Sequence, residues 1–509
     1  MNHTRKLVCL LLVLTLALAL SLTAFAAGET YTITIKDAPT GHTYEAYQIF
    51  AGDLHTEGEK KVLSNIKWGS GVSEAGQTAL GDAAAAADLL HTEADAKAFA
   101  GKVSLYLTSP KTSTEMNGTY TISGLEPGYY LVKDRDNSLS DSPDDFYTAY
   151  ILEVVGDVTA RPKGGKPTLD KQIKHNENGA WGVVGDNQIG DTVEFCTTTS
   201  VPDTQDYTRY IYTIHDTMSE GLTSNVKGTD DVQIKVNGTE ILDKTYYTVA
   251  ADGNNFTVTV DILRAVADRK MEAGNTLYAY YTAVLNAGAK IYNDGRQENT
   301  AYLEYSNNPN GEGTGKTPEK TVYDWTFKMT VDKTNELGTT ITGAKFVLSR
   351  NGTLSTDDMN CSEDGVPAVT TDLIGLVKVS EGVYRIALAG EENTIYVIDA
   401  GETVIQGLDD NEKYYLYETK APAGFNMLTA PVDFKIGAEY SSDGSACTKA
   451  TTTVGEHTTE NLKINVANKA GAELPSTGGV GTTIFYVLGG LLVAGAVVLL
   501  VTKKRMAKD

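Results

Sequence analysis

The main part of the chain is written in short alternating runs: "TYTITIKDA", "YYLVKD", "DVQIKV", "NFTVTV", "TLYAYYTAVL", "AYLEYS", "TFKMTV", "AKFVLS", "TIYVIDA", "YYLYETK" and "KINVANK". They are rich in Val, Ile, Thr and Tyr, with Gly, Asn and Asp turns between them. A side-chain period of two sets one face of a strand on a core and the other in water, so a succession of such runs folds into β-sandwiches. Tyrosine outnumbers phenylalanine 28 to 11, which suits strands with a wet face. The fold class read from this pattern is all-β. One stretch, "AGQTALGDAAAAADLLHTEADAKAFAGKV", departs from it and predicts a small helical insertion in the first domain.

The two ends obey other rules. "MNHTRK", an apolar stretch from Leu7 to Leu22 and "AFAA" form a secretory signal peptide, with cleavage expected after Ala26. From Thr482 to Val501 run 20 residues without a charge, enough for a helix to cross roughly 30 Å of hydrocarbon. Lys503, Lys504 and Arg505 follow at once, as expected for the cytoplasmic side. Between these ends remain roughly 445 residues, about three domains. The linkers "ARPKGGKPTLDK" and "NNPNGEGTGKTPEK" divide them. The expected organisation is a signal peptide at 1–26, domains at 27–165, 166–318 and 319–470, and a tail at 471–509 with its transmembrane helix at 482–501.

Several function classes drop out. A net charge of −23 leaves nothing to neutralise phosphates, which argues against nucleic acid, and suits an exported, self-repelling surface. "GEGTGKT" imitates a phosphate-binding loop, but Asn310 stands where the first glycine is needed and Pro318 where the helix would begin. The 7 histidines have no HExxH or other paired spacing, and no GxSxG is present, so no cofactor, metal or conventional hydrolase is indicated. Cys9 leaves with the signal peptide. Of Cys196, Cys361 and Cys447, the last two can bridge within the final domain, with Cys196 left as a small buried hydrophobe.

Ahead of the apolar span stands "LPSTG", Leu474, Pro475, Ser476, Thr477 and Gly478. With "VTARPK" at 158–163, "YLYETKAPAGF" at 415–425, and "LDK" and "NTAYLEYSNNP" in the middle domain, the chain resembles the major (shaft) pilins of Gram-positive bacteria. Those are tandem immunoglobulin-like, Cna B-type domains polymerised by sortases, and the resemblance covers essentially the whole chain. It implies a sorting signal cut between Thr477 and Gly478 through an acyl-enzyme on the sortase cysteine. The Thr477 carbonyl then passes to an amine. Pro475 keeps the residue before it out of helix and the site extended. The acceptor implied is Lys163 of "VTARPK", with Arg161 departing from the usual residue there and Lys166 a neighbouring rival. The partners implied are a class C-type pilin sortase, a housekeeping sortase, identical subunits, peptidoglycan and minor tip and base pilins, with host surface ligands left open.

The same resemblance implies self-formed Lys–Asn isopeptide bonds that join the first strand of a domain to its last. In the third domain the residues are Lys333 and Asn468, with Glu418 of "YYLYETKAPAGF" as the assisting acid. In the second they are Lys171 and Asn299, with either Asp216 or Glu194 as the acid. Burial favours the neutral forms of both an amine and a carboxyl, making the first a nucleophile and the second a proton donor. Three polar groups in one core are otherwise costly, so such a set is complete or absent. In the first domain Asp134 stands in the acid's place, but "YTAYILEVV" offers no asparagine. No bond is expected there, and Lys36 stays an ordinary lysine. The rival reading is a wall-anchored monomeric adhesin, which needs the sorting signal and the bonds but no acceptor lysine.

Overall fold

Alternation decides each element. In Phe327–Asn335 the buried positions are Phe327, Met329, Val331 and Lys333, with Thr334 buried beside the last of them, and in Tyr212–Met218 they are Tyr212, Ile214, Asp216 and Met218. A computed structural model describes residues 29–471 and 480–507, apart from 37, 39, 58–59, 137, 139–146, 162–165, 206, 310–312, 355–358 and 360. The described strands form six sheets, two per domain.

In the first domain one sheet runs Thr114–Met116, Thr119–Leu125, Tyr31–Ile35, Val158–Ala160, with the last strand parallel to Tyr31–Ile35. The other runs Lys60–Trp68, Tyr44–Glu57, Gly128–Asp134, Ala149–Val154. The insertion forms helices Glu74–Leu80, Ala83–Ala87 and Glu93–Val103, started by the side chains of Ser73, Asp82 and Thr92. Ala83 and Val103 bury against Tyr47, Ile49 and Phe50.

In the second domain Leu169–Lys174, Thr192–Ser200, Thr276–Leu285 and Gln233–Val236 lie in one sheet. The facing sheet runs Val184–Asp186, Lys320–Trp325, Gln297–Ser306, Tyr212–Met218, Asn255–Val260, Tyr247–Asp252. In the third, Phe327–Asn335 pairs with Glu402–Leu408 on one side and in parallel with Lys463–Asn468 on the other. Its facing sheet carries Lys345–Ser349, Lys413–Lys420, Val432–Tyr440 and Cys447–Val454.

Three expectations are corrected. The division placed at 318 cuts off Lys320–Trp325, whose backbone pairs with Gln297–Ser306 and Val184–Asp186, so the sheets change at Thr326. The stretch read wholly as a linker also contains Thr314–Lys316, a strand paired with Glu304, Tyr305 and Ser306. Cys361 and Cys447 are free thiols, as is Cys196. Cys361 packs with Val347, Met359 and Tyr417, whereas Cys447 packs on the main core, and this separation keeps them apart.

That main core is continuous from Leu169 to Val466, through the second and third domains, while the first domain has cores of its own. At the C-terminus Val480–Met506 is one helix with Lys503, Lys504 and Arg505 in its last turn. Its stretch Thr483–Met506 is long and apolar enough to cross a membrane. The signal peptide and Leu474–Gly478 lie outside the described residues.

Candidate cross-linking sites

In the third domain three strands each spend an inward position on a polar residue. Lys333 follows Met329 and Val331, Asn468 follows Ile464 and Val466, and Glu418 follows Tyr414 and Leu416. Parallel pairing sets Lys333 opposite Val466 and Asn335 opposite Asn468, and Glu418 comes from the facing sheet. Lys333 and Asn468 are fully buried and Glu418 is 2% exposed. Lys333 Nζ donates to Asn468 Oδ1, and to Val466 O at 3.0 Å. Asn468 Nδ2 donates to Glu418 Oε1 at 2.8 Å, to Glu418 Oε2 at 2.9 Å and to Asn426 O at 3.0 Å. Glu418 Oε1 also stands 3.5 Å from Lys333 Nζ, and Oε2 accepts from the Leu428 amide at 2.8 Å. Burial pulls the Lys333 amine below the usual lysine range against the opposing pull of Glu418, toward the unprotonated, nucleophilic form. The carboxylate thus sits between the attacking amine and the amide nitrogen that would depart.

The second domain builds its set differently. Lys171 comes from one sheet, while Asp216 and Asn299 come from neighbouring strands of the sheet opposite. The strand bearing Asn299 is not the last, because Lys320–Trp325 follows it in the same sheet, so the first-to-last rule is corrected here. Lys171 Nζ donates to Asp216 Oδ2 at 2.5 Å, and the three residues are at most 2% exposed. Burial pushes the Asp216 carboxyl up and the Lys171 amine down, each opposed by its partner. Both shifts favour the neutral pair. The amide atoms of Asn299 are buried without a hydrogen-bond partner among the described residues. Glu194, the rival acid, lies half-exposed on the outer face and pairs with Lys174 at 2.7 Å, so Asp216 is the acid in the core.

Sequence reasoning missed Tyr281. Its hydroxyl accepts from Lys171 Nζ and donates to Asp216 Oδ2, with Thr197 Oγ1 at 3.2 Å. It occupies an inward position in Thr276–Leu285, between Ala279 and Ala283, where an aromatic reads as core filling. In the first domain Asp134 is buried against His42 Nδ1 at 2.7 Å and accepts from the Thr148 amide at 2.7 Å. A histidine takes the amine's place there, and Lys36 is exposed. Lys163 lies outside the described residues, and Lys166 beside it is exposed.

Residues 467–508 match the LPXTG cell wall anchor motif, and residues 327–453 match the SpaA prealbumin-like fold domain, which begins where the sheets change. The chain is 36% identical over 98 residues to fimbrial subunit type 1 of Actinomyces viscosus, spanning 19% of this chain and only 16% of that one. It is 22% identical to the trypsin-resistant surface T6 protein of Streptococcus pyogenes serotype M6, over 95% of this chain and 96% of that one. Its fold is like that of the T6 backbone pilin of serotype M6 Streptococcus pyogenes, with a TM-score of 0.50 at 16% identity, covering 87% of this chain and 99% of that one. With a cell-wall anchor motif at its end, this domain before it and likeness along nearly its whole length to a surface protein and a backbone pilin of Streptococcus pyogenes, the chain has the organisation of a sortase-assembled structural subunit of Gram-positive cell-surface pili.

Proposed function

We propose that the subunits are joined by an amide between the Thr477 carbonyl of one and the Lys163 amine of the next, and that each subunit holds two internal Lys–Asn amides. In the third domain the unprotonated Lys333 Nζ attacks Asn468 Cγ. The new N–C bond forms, the Cγ–Nδ2 bond breaks, and Nδ2 leaves as ammonia. Glu418 lies within reach of both nitrogens, so it takes the excess proton from Nζ and delivers it to the departing Nδ2. Lys171 and Asn299 react in the same way, with Asp216 as proton carrier and Tyr281 holding the pair in register. No external substrate is turned over.

The observation that carries this reading is the burial of a complete lysine, asparagine and acid set in each of two domains. Polar groups at the end of an apolar face are costly to bury unless they are paired, and here the amine, the amide and the acid of the third domain are turned on one another. Closing loops of 135 residues (468 − 333) and 128 residues (299 − 171) stabilises each domain by about 5 kcal/mol on the chain-entropy account. In the third domain the bond also ties together its first and last strands, so tension entering at one and leaving at the other runs through a covalent link.

A class C-type pilin sortase makes the intersubunit bond on this reading, a housekeeping sortase attaches the finished polymer to peptidoglycan, and minor pilins occupy tip and base. The test is electrophoresis of boiled wall extracts. A ladder that survives heat and detergent, and that Lys163→Ala abolishes, is expected. Only single subunits in the unsubstituted strain, or an intact ladder in Lys163→Ala, overturns the assignment and favours a monomeric adhesin.

A further inference from the structure

Where the second and third domains meet, four acidic side chains are buried together. Asp186 ends the strand Val184–Asp186, and Asp324 lies on the strand paired with it. Asp409 and Asp410 follow the third-domain strand Glu402–Leu408. They are 3%, 2%, 2% and 1% exposed, respectively. One carboxylate oxygen from each of Asp186, Asp409 and Asp410 lies within 4.8 Å of the other two. Among the described residues no lysine or arginine pairs with any of the four, and His175 Nδ1 stands 3.7 Å from Asp186 Oδ2.

The carboxylates are held from behind. Asn176 Nδ2 donates to Asp409 Oδ2 at 2.7 Å, Tyr440 OH to Asp410 Oδ2 at 3.3 Å, and Asn187 Nδ2 to Asp324 Oδ1 at 2.7 Å. Their other oxygens, Asp409 Oδ1, Asp410 Oδ1 and Asp324 Oδ2, are buried with no hydrogen-bond partner among the described residues. Orienting bonds on one oxygen and a vacant lone pair on the other is how outer groups hold metal ligands. Like-charged carboxylates without a counter-charge are otherwise an expensive thing to bury.

We propose that this junction binds one divalent cation of the calcium class, held by Asp186 from the second domain and by Asp409 and Asp410 from the third, with Asp324 beside them. An all-oxygen, carboxylate-rich set suits hard cations rather than zinc or copper. Calcium tolerates irregular geometry with many protein oxygens, whereas magnesium keeps several waters that so closed a site would strip. Backbone and side-chain bonds already cross here: Ile189 N to Gly407 O at 3.0 Å, Trp325 Nε1 to Gly444 O at 3.2 Å and Arg350 Nη2 to Gln188 Oε1 at 3.1 Å. A cation would add a bridge between the two domains and stiffen the shaft at its joint.

Equilibrium dialysis of the full-length protein in detergent micelles, stripped with EDTA and titrated with radioactive calcium, tests this. One ion per chain is expected, at a Kd of roughly 10⁻⁴–10⁻³ M, typical of extracellular calcium modules. Asp410→Asn and Asp186→Asn should each weaken binding at least tenfold with the near-ultraviolet circular dichroism unchanged, and an equal concentration of magnesium should not displace the calcium. No binding by the unsubstituted protein at about 10 mM calcium, binding that both variants retain, or displacement by magnesium overturns the proposal. None of these outcomes bears on the isopeptide bonds.

Discussion

Glu418→Gln separates chemistry from packing in the third domain. The substitution keeps the side chain's size but replaces one of the two oxygens that accept from Asn468 Nδ2 at 2.8 and 2.9 Å. It also removes the proton carrier that stands 3.5 Å from Lys333 Nζ. The amide then does not form, and the chain keeps the ammonia it would have lost. Losing a closure between residues 135 apart costs about 5 kcal/mol. Set against a domain stability of about 5–15 kcal/mol, that is a third or more of the total. At about 3 °C per kcal/mol for a domain of this size, the third-domain unfolding midpoint falls by about 15 °C. Intact-mass spectrometry and thermal unfolding of the full-length protein in detergent read the two effects. A variant as short of ammonia as the unsubstituted chain, or one that melts with it, would refute the role given to Glu418.

Other outcomes follow from the same geometry. Asp216→Asn blocks the second-domain bond and leaves one ammonia in place, while Glu194→Gln on the outer face still loses both ammonias; intact mass, compared with the mass calculated for each variant sequence, reads both. Tyr281→Phe removes the hydroxyl between Lys171 and Asp216, and slows maturation of that bond by about 10²-fold in a mass time course after expression. Lys166→Ala retains the polymer ladder that Lys163→Ala abolishes. Cys196 is buried and its thiol pushed up to about 11, whereas Cys361 and Cys447, also raised by burial, are partly exposed, so at pH 8 a thiol reagent reaches and modifies those two in the native chain. Cys196 reacts only after unfolding; mass spectrometry without reductant then counts three modified thiols, where a Cys361–Cys447 bridge would leave one.

The alternating runs made the sheets legible because each strand has one wet face. The polar triads were legible only through the resemblance to the shaft pilins, on motifs such as "YYLYETKAPAGF"; the structure adds the physical mark they carry. Lys333, Glu418 and Asn468 each sit in phase with the apolar residues of their own strand, where a surface residue has no business. Tyr281 sits in phase as well, but a buried tyrosine is ordinary, so nothing in "TLYAYYTAVL" marked its hydroxyl. Lys320–Trp325 hid behind a Gly/Pro-rich stretch, and only its pairing with Gln297–Ser306 reveals which domain owns it. The odd cysteine count suggested a bridge, and only packing shows that Cys361 and Cys447 belong to different clusters. The junction carboxylates come from positions 186, 324, 409 and 410, a spread across two domains that no spacing rule detects.

The account rests on amides made by side chains, within subunits and between them. Tandem mass spectrometry of proteolysed, purified filaments tests it most directly. It predicts a branched peptide joining the Thr477 carbonyl to the Lys163 amine, together with peptides linking Lys333 to Asn468 and Lys171 to Asn299. Filaments that yield only linear peptides, with Lys163 unmodified and both asparagines intact, would contradict it.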